Sequence, residues 1–431
     1  MAKKRGFLFD AIATASVSLV RAAGAVATFA FAAVASSVMG PADAGIFFVS
    51  VTWAIALAIL VRWGSSDLIL LTFAPLARSW RRKALPAVLA RYMHNSLLRL
   101  SGLILPVMLG LGLMIHLGWL SPVRMDLFFI FALTLAMVVQ QVTAAAIKAA
   151  GRPVQASLVE FCFVALFVIA AYLVFRGWVD ASPRRGFETV YLSGAVISAL
   201  VLMTMKGAKI EWTRPLRPNA MRTSLRRSHS FAMSEMSDFL ATWAAFLMMP
   251  LFLSAHDAGI YNAALRIAAL TQLVTISVPS VFIPRLATAL QHRDRIEARR
   301  LTWSVKLIMA LAGIALFLGV AIFGKWALGL FGTDFIAGYG PLLIMTAGLC
   351  GAMALGPAGA ILNVMGHEKI TLNVAFIGAF LTLALAIPAL YFHGITGAAT
   401  VTALSAIARK ALLVWFEIRA SRLKPESPDS F

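Results

Sequence analysis

Along the chain, apolar stretches of about 20 residues or more alternate with short breaks carrying Gly, Pro or charge, the period expected of membrane-crossing helices. Twelve such stretches can be laid out, at 9 to 39, 44 to 73, 92 to 118, 125 to 149, 154 to 175, 189 to 205, 231 to 253, 258 to 284, 301 to 324, 340 to 365, 370 to 391 and 394 to 417. The pattern predicts an all-α polytopic membrane protein with 12 transmembrane helices. The sixth is the weakest, because Ser193, Gly194 and Ser198 fall in a short window. Lys3-Lys4-Arg5 precedes the first stretch as in a secretory signal. The apolar run continues to Met39, well beyond the roughly 7 to 15 residues of a signal core, which predicts a retained first span.

Two short strings recur at one half-length. Asp43-Ala44-Gly45-Ile46-Phe47 returns as Asp257-Ala258-Gly259-Ile260-Tyr261, an offset of 214 in 431 residues. Ile147-Lys148-Ala149-Ala150-Gly151 aligns with Leu362-Asn363-Val364-Met365-Gly366 at an offset of 215. A duplicated lobe explains both, and internal repeats are common in transporters. The twelve spans then divide into two pseudo-symmetric six-helix lobes. The expected boundaries are 1–205 for the N-terminal lobe, 206–230 for a basic linker, 231–418 for the C-terminal lobe and 419–431 for a tail.

Composition changes the picture only by sharpening it. Hydrophobic residues make up 61% and charged residues 13%, against about 25% charged in a soluble domain. Cys162 and Cys350 lie in apolar stretches of different halves, which suggests packing rather than a metal cluster or a disulfide. The formal net charge of +20 does not gather as a nucleic-acid footprint would. Most of the 38 basic residues fall in loops after every second crossing, which predicts those loops and both termini to be cytoplasmic. Their expected role is topology and attraction to anionic lipids. Pro75 to Arg91 and Pro284 to Arg300 mix Leu, Ala and Arg as short interfacial helices would. The tryptophans lie mostly near span ends, as an interfacial belt predicts; for Trp53 and Trp243, core packing or lipid contact is the simpler expectation and stacking on sugar rings the alternative.

Some classes are disfavoured. The linker of about 25 residues is too short to bury its own core. No Gly-x-x-x-x-Gly-Lys-Ser/Thr loop suggests ATP hydrolysis, and no cofactor is called for. The longest outside loop, Arg176 to Glu188, carries Asp180, Arg184 and Arg185 but no His, which argues against an enzyme.

Gly40 to Phe47 between spans one and two, Asp257 to Ala264 opening span eight, Phe331-Gly332-Thr333-Asp334-Phe335 before span ten and Leu362 to Gly366 closing it together resemble the multidrug/oligosaccharidyl-lipid/polysaccharide exporters, in particular Wzx-type flippases. That resemblance implies movement of an undecaprenyl-diphosphate oligosaccharide across a bacterial inner membrane by alternating access. It also implies service to O-antigen or exopolysaccharide assembly beside a glycan polymerase and glycosyltransferases. A drug or small-solute antiporter of the same superfamily, a lipid II flippase and a membrane enzyme of glycan assembly are the other readings. Related lipid II flippases place arginines on spans one, two and eight, and Arg21, Arg62 and Arg266 match by span though not by position.

Charge inside a span costs at least about 2.5–3.5 kcal/mol at the helix centre, so it normally faces a cavity or a partner. For Asp67 and Glu160, local pairing or snorkelling is the simpler expectation. Arg21, Arg62 and Arg266 are the candidate substrate-binding residues. Glu235 and Asp238, three apart and so on one helix face, are candidates with Arg21 for gating or ion coupling. Arg21 precedes Asp43 by 22 positions and Glu235 precedes Asp257 by 22, so the repeat places them at matching positions, where they are expected to pair when the cytoplasmic side closes and part when it opens, the alternative being permanent pairing that fixes packing. In the same register Asp238 matches Gly24, which is expected to leave room for its side chain.

Overall fold

A computed structural model describes residues 2–73, 126–205, 218–291 and 294–422, with Met93, Gly102, Pro106, Gly110 and Leu113. The described residues are helical throughout, without a strand, so the fold is all-α. Eight stretches among them are long and apolar enough to cross a membrane. Two of these are double. The helix α1 (Ala2–Arg62) is broken at Gly40, whose φ of 72° is followed by Pro41, which lacks an N–H and so begins a helix more easily than it continues one. The last helix, Glu368–Arg422, is broken in the same way at Gly394, with φ 55°. The third expected span, 92 to 118, lies outside the described residues apart from single positions, as does the stretch Pro75 to Arg91. The seventh falls on Pro218–Phe252, whose first half is polar.

Gly151 and Gly366, the ends of one pair of repeated strings, close their helices alike. Their φ angles are +90° and +82°. Arg152 N–H donates to the Ile147 carbonyl at 3.2 Å and His367 N–H to the Leu362 carbonyl at 2.9 Å, the six-to-one bond of a glycine-terminated helix.

The chain forms two compact units. The first holds residues 1–239, 246–263 and 328–337. Its core is aromatic: Phe31 and Phe47 on α1 pack on Tyr191 with centroids 5.5 and 5.7 Å apart, and Phe47 packs on Phe129. Leu127–Ala149 and Pro183–Thr204 supply the latter two rings, and the sixth span is thus a full 22-residue helix despite its small polar residues. Gly24 leaves no room for a remote carboxylate, contrary to the register argument. An added β-carbon there would stand 2.7 Å from Phe161 Cβ, so the missing side chain serves the close approach of α1 to the π-helical turn Leu158–Phe163.

The second unit holds 240–245, 264–327 and 338–431. Tyr339–Ala354 and Ala358–Val364 pack on Glu368–Arg422, with Ala358, Leu362, Val374 and Leu413 in one buried cluster. The segment Pro284 to Arg300 is not a separate interfacial helix. Thr271–Gln291 runs through its first part and Arg295–Gly329 begins in its second, because each end continues an apolar span.

Candidate functional site

The candidate charged residues of the first unit lie at two places. At the first, α1 ends on Arg62 and the chain turns sharply before the short helix α2 (Ser65–Phe73). Trp63 has φ 47° and Gly64 φ 67°; a non-glycine residue in this region is strained by about 1–3 kcal/mol and persists only when its surroundings fix it. The surroundings do so here. A β-carbon on Gly64 would stand 2.5 Å from the Ser228 carbonyl oxygen and 2.9 Å from Ala232 N, and Trp63 packs on His229 with ring centroids 5.6 Å apart. The turn is therefore wedged against Pro218–Phe252.

The wedge presents Arg62 to Glu235, one turn beyond Ala232, and the two form an ion pair. Arg62 is buried, its side chain 7% exposed, while Glu235 is 30% exposed. Glu235 Oε2 is buried without a hydrogen-bond partner among the described residues. Asp67 and Asp238 are the further carboxylates whose charge acts on Glu235, and Asp238 lies exposed on the same helix. The expected partner of Glu235 was Arg21; the structure gives it Arg62. Register alone pointed to Arg21, whereas the break at Trp63-Gly64 turns the end of span two into span seven.

The second place is the π-helical turn. Arg21 is exposed and its guanidinium lies 5.5 Å from the centre of the Phe161 ring. The Lys148 ammonium lies 5.5 Å from the same ring centre and pairs with Glu160. A ring face attracts cations, and π-turns inside helices are frequent at functional positions. Glu160 thus takes a local partner. Lys148 and Phe161 were not among the residues singled out by sequence, although the turn Ala150-Gly151-Arg152-Pro153 joining spans four and five forecasts that their flanks meet. Arg266 is half-buried on Ala255–Ala269 and belongs to the second unit, while the four other candidates belong to the first. Among the described residues no group of three His, Cys, Asp or Glu is arranged to hold a metal.

The described residues form an all-helical fold with eight stretches long and apolar enough to cross a membrane. The fold is similar to that of an inward-facing multidrug resistance MATE family transporter of the MOP superfamily, with a TM-score of 0.73 at 13% identity, over 94% of this chain and 98% of the other. The lipid II flippase MurJ in an inward closed conformation gives 0.72 at 12% identity, over 94% and 86%. No protein-family model matches the chain. In sequence it is similar to the probable low-salt glycan biosynthesis flippase Agl15 of Haloferax volcanii, 27% identical over 200 residues. The matched stretch covers 44% of this chain and 41% of that relative. These relatives and structural neighbours are transporters and flippases, not enzymes.

Proposed function

We propose that this protein flips an undecaprenyl-diphosphate-linked oligosaccharide across the bacterial inner membrane by alternating access, for O-antigen or exopolysaccharide assembly. The observation that carries this reading is the convergence of Arg21 and Lys148 on Phe161. A diphosphate entering an apolar span needs cationic donors, and Arg offers it a planar fork. Exposed Arg21 has that fork available, and Lys148 can exchange Glu160 for phosphate. In this reading residues 1–205 and 231–418 are the moving lobes, both termini are cytoplasmic, and the basic loops face anionic lipids and the glycosyltransferases and polymerase that make and consume the cargo. Similarity to a glycan flippase supports the cargo class.

The test is mass analysis of lipid-linked sugars in a strain lacking the protein. A lipid-diphosphate oligosaccharide should accumulate, and the wild-type gene but not Arg21→Ala should clear it. Absence of any accumulated intermediate, with increased sensitivity to cationic drugs instead, would overturn the glycan reading in favour of an antiporter.

A further inference from the structure

The first repeated string and its copy are in contact with one another. A β-carbon on Gly45 would run into the Ala255 carbonyl oxygen and stand 2.8 Å from Gly259 N. A β-carbon on Gly259 would run into the Pro41 carbonyl oxygen and stand 2.8 Å from the Pro41 carbonyl carbon. Gly45 and Gly259 differ by 214 positions, and so do Pro41 and Ala255. The contact is therefore reciprocal: each glycine meets, on the other copy, the residue four positions before the other glycine. That is the form of an isologous contact about a two-fold axis, here within one chain. Ala44 and Ala258 are fully buried beside it, as are Phe47 and Tyr261.

One group is out of place in so close a contact. Asn262 is 1% exposed, and among the described residues neither its side-chain nitrogen nor its side-chain oxygen has a hydrogen-bond partner. A buried amide without partners opposes the state that buries it, because water would satisfy both atoms once admitted. The corner is thus closed by backbone approach that only glycine permits and opposed by a neighbouring polar group, two terms of opposite sign at one place.

From this juxtaposition we propose that the corners 41–47 and 255–261 form the outer gate of the transporter, closed by Gly45 and Gly259 and biased toward opening by Asn262. The proposal rests on the alternating-access reading, in which the face away from the basic loops must open and close. It goes beyond that reading by naming the residues that set the balance.

The test uses the full chain in intact cells, with Ala258→Cys as the probe and a membrane-impermeant maleimide added outside. The buried native Cys162 and Cys350 set the background, measured on the unmodified chain. Adding Gly45→Ala should raise the labelling rate by about tenfold, a modest shift of a two-state balance. Asn262→Leu, which keeps the volume and removes the orphaned amide, should lower it by about threefold. Unchanged labelling in a Gly45→Ala protein that inserts at the wild-type level would overturn the gate, as would both variants shifting the rate in one direction. Should Gly45→Ala not insert, Asn262→Leu decides alone: slower labelling supports the gate and equal or faster labelling overturns it. Labelling requires no cargo, so a wrong cargo assignment would leave this result standing. A failed gate would likewise leave lipid-linked sugar accumulating in the deletion strain.

Discussion

Lys306 holds both carboxylate oxygens of Glu417, at 2.9 and 3.1 Å, across 111 positions of the second unit. The pair ties Arg295–Gly329 to Glu368–Arg422 beside the Val305, Met309 and Met353 cluster. Its approach is fixed by Gly356, with φ +83°, where a β-carbon would lie 2.6 Å from Lys306 Cγ. Removing one partner of a buried pair strands the other charge and costs about 3–5 kcal/mol, whereas replacing both by apolar groups is often neutral. Lys306→Met alone should therefore lower the thermal midpoint in detergent well below that of Lys306→Met with Glu417→Leu. Equal midpoints would show that the pair carries no such weight.

Arg62 and Glu235 pose the same question with a functional side. If the pair only fixes packing, Arg62→Glu with Glu235→Arg should restore both stability and export after each single reversal has removed them by about 3–5 kcal/mol. If Arg62 also meets the cargo diphosphate, the exchanged pair should regain its melting temperature but not full export, because a carboxylate then stands where phosphate must bind. We expect the second result. Complete recovery of export would confine Arg62 to packing.

How far these features were legible in sequence depends on their range. The spans followed from period and length, and the kinship of Gly151 with Gly366 followed from two aligned strings, since both are local properties of the chain. The charge sites followed only in part: Glu160 has the local partner expected of it, whereas Glu235 pairs with Arg62 and not with Arg21. Counting 22 positions back from Asp43 and Asp257 takes no account of the turn at Trp63-Gly64, which wedges the end of α1 against Pro218–Phe252 and so sets Arg62 beside Glu235, or of the π-turn at Leu158–Phe163, where Phe161 meets Arg21. Such turns set which helices meet without leaving a hydropathy signal.

Gly24 provides a test of the tight contact that replaced the expected open space. Its neighbours are Phe161 Cβ at 2.7 Å and the Phe161 carbonyl oxygen at 3.0 Å, so an added methyl meets atoms that do not depend on the ring. Gly24→Ala should destabilise by about 1–3 kcal/mol, the range for overpacking. Phe161→Ala keeps both obstructing atoms and should not rescue it. Rescue would show that the ring, not the backbone approach, was the obstacle.

Arg266 calls for a comparison whose control is sound. Arg184 is a poor one, because its Nε lies 3.6 Å from Glu188 Oε1 and the Glu188 side chain is only 7% exposed, so its replacement disturbs a buried carboxylate. Arg176 is better: it is 72% exposed and meets the exposed Asp180 at 3.4 Å, a pair worth about 0–1 kcal/mol. Lys keeps the charge at either position but loses the fork that engages two phosphate oxygens at once. If Arg266 binds the cargo diphosphate, Arg266→Lys should lower export about tenfold or more, the scale of one lost charge-assisted hydrogen bond of 1.5–3 kcal/mol, at wild-type protein levels. Arg176→Lys should leave export unchanged. The measurement is the ratio of exported glycan to accumulated lipid-linked intermediate, and equal ratios in the two variants would remove Arg266 from the binding site.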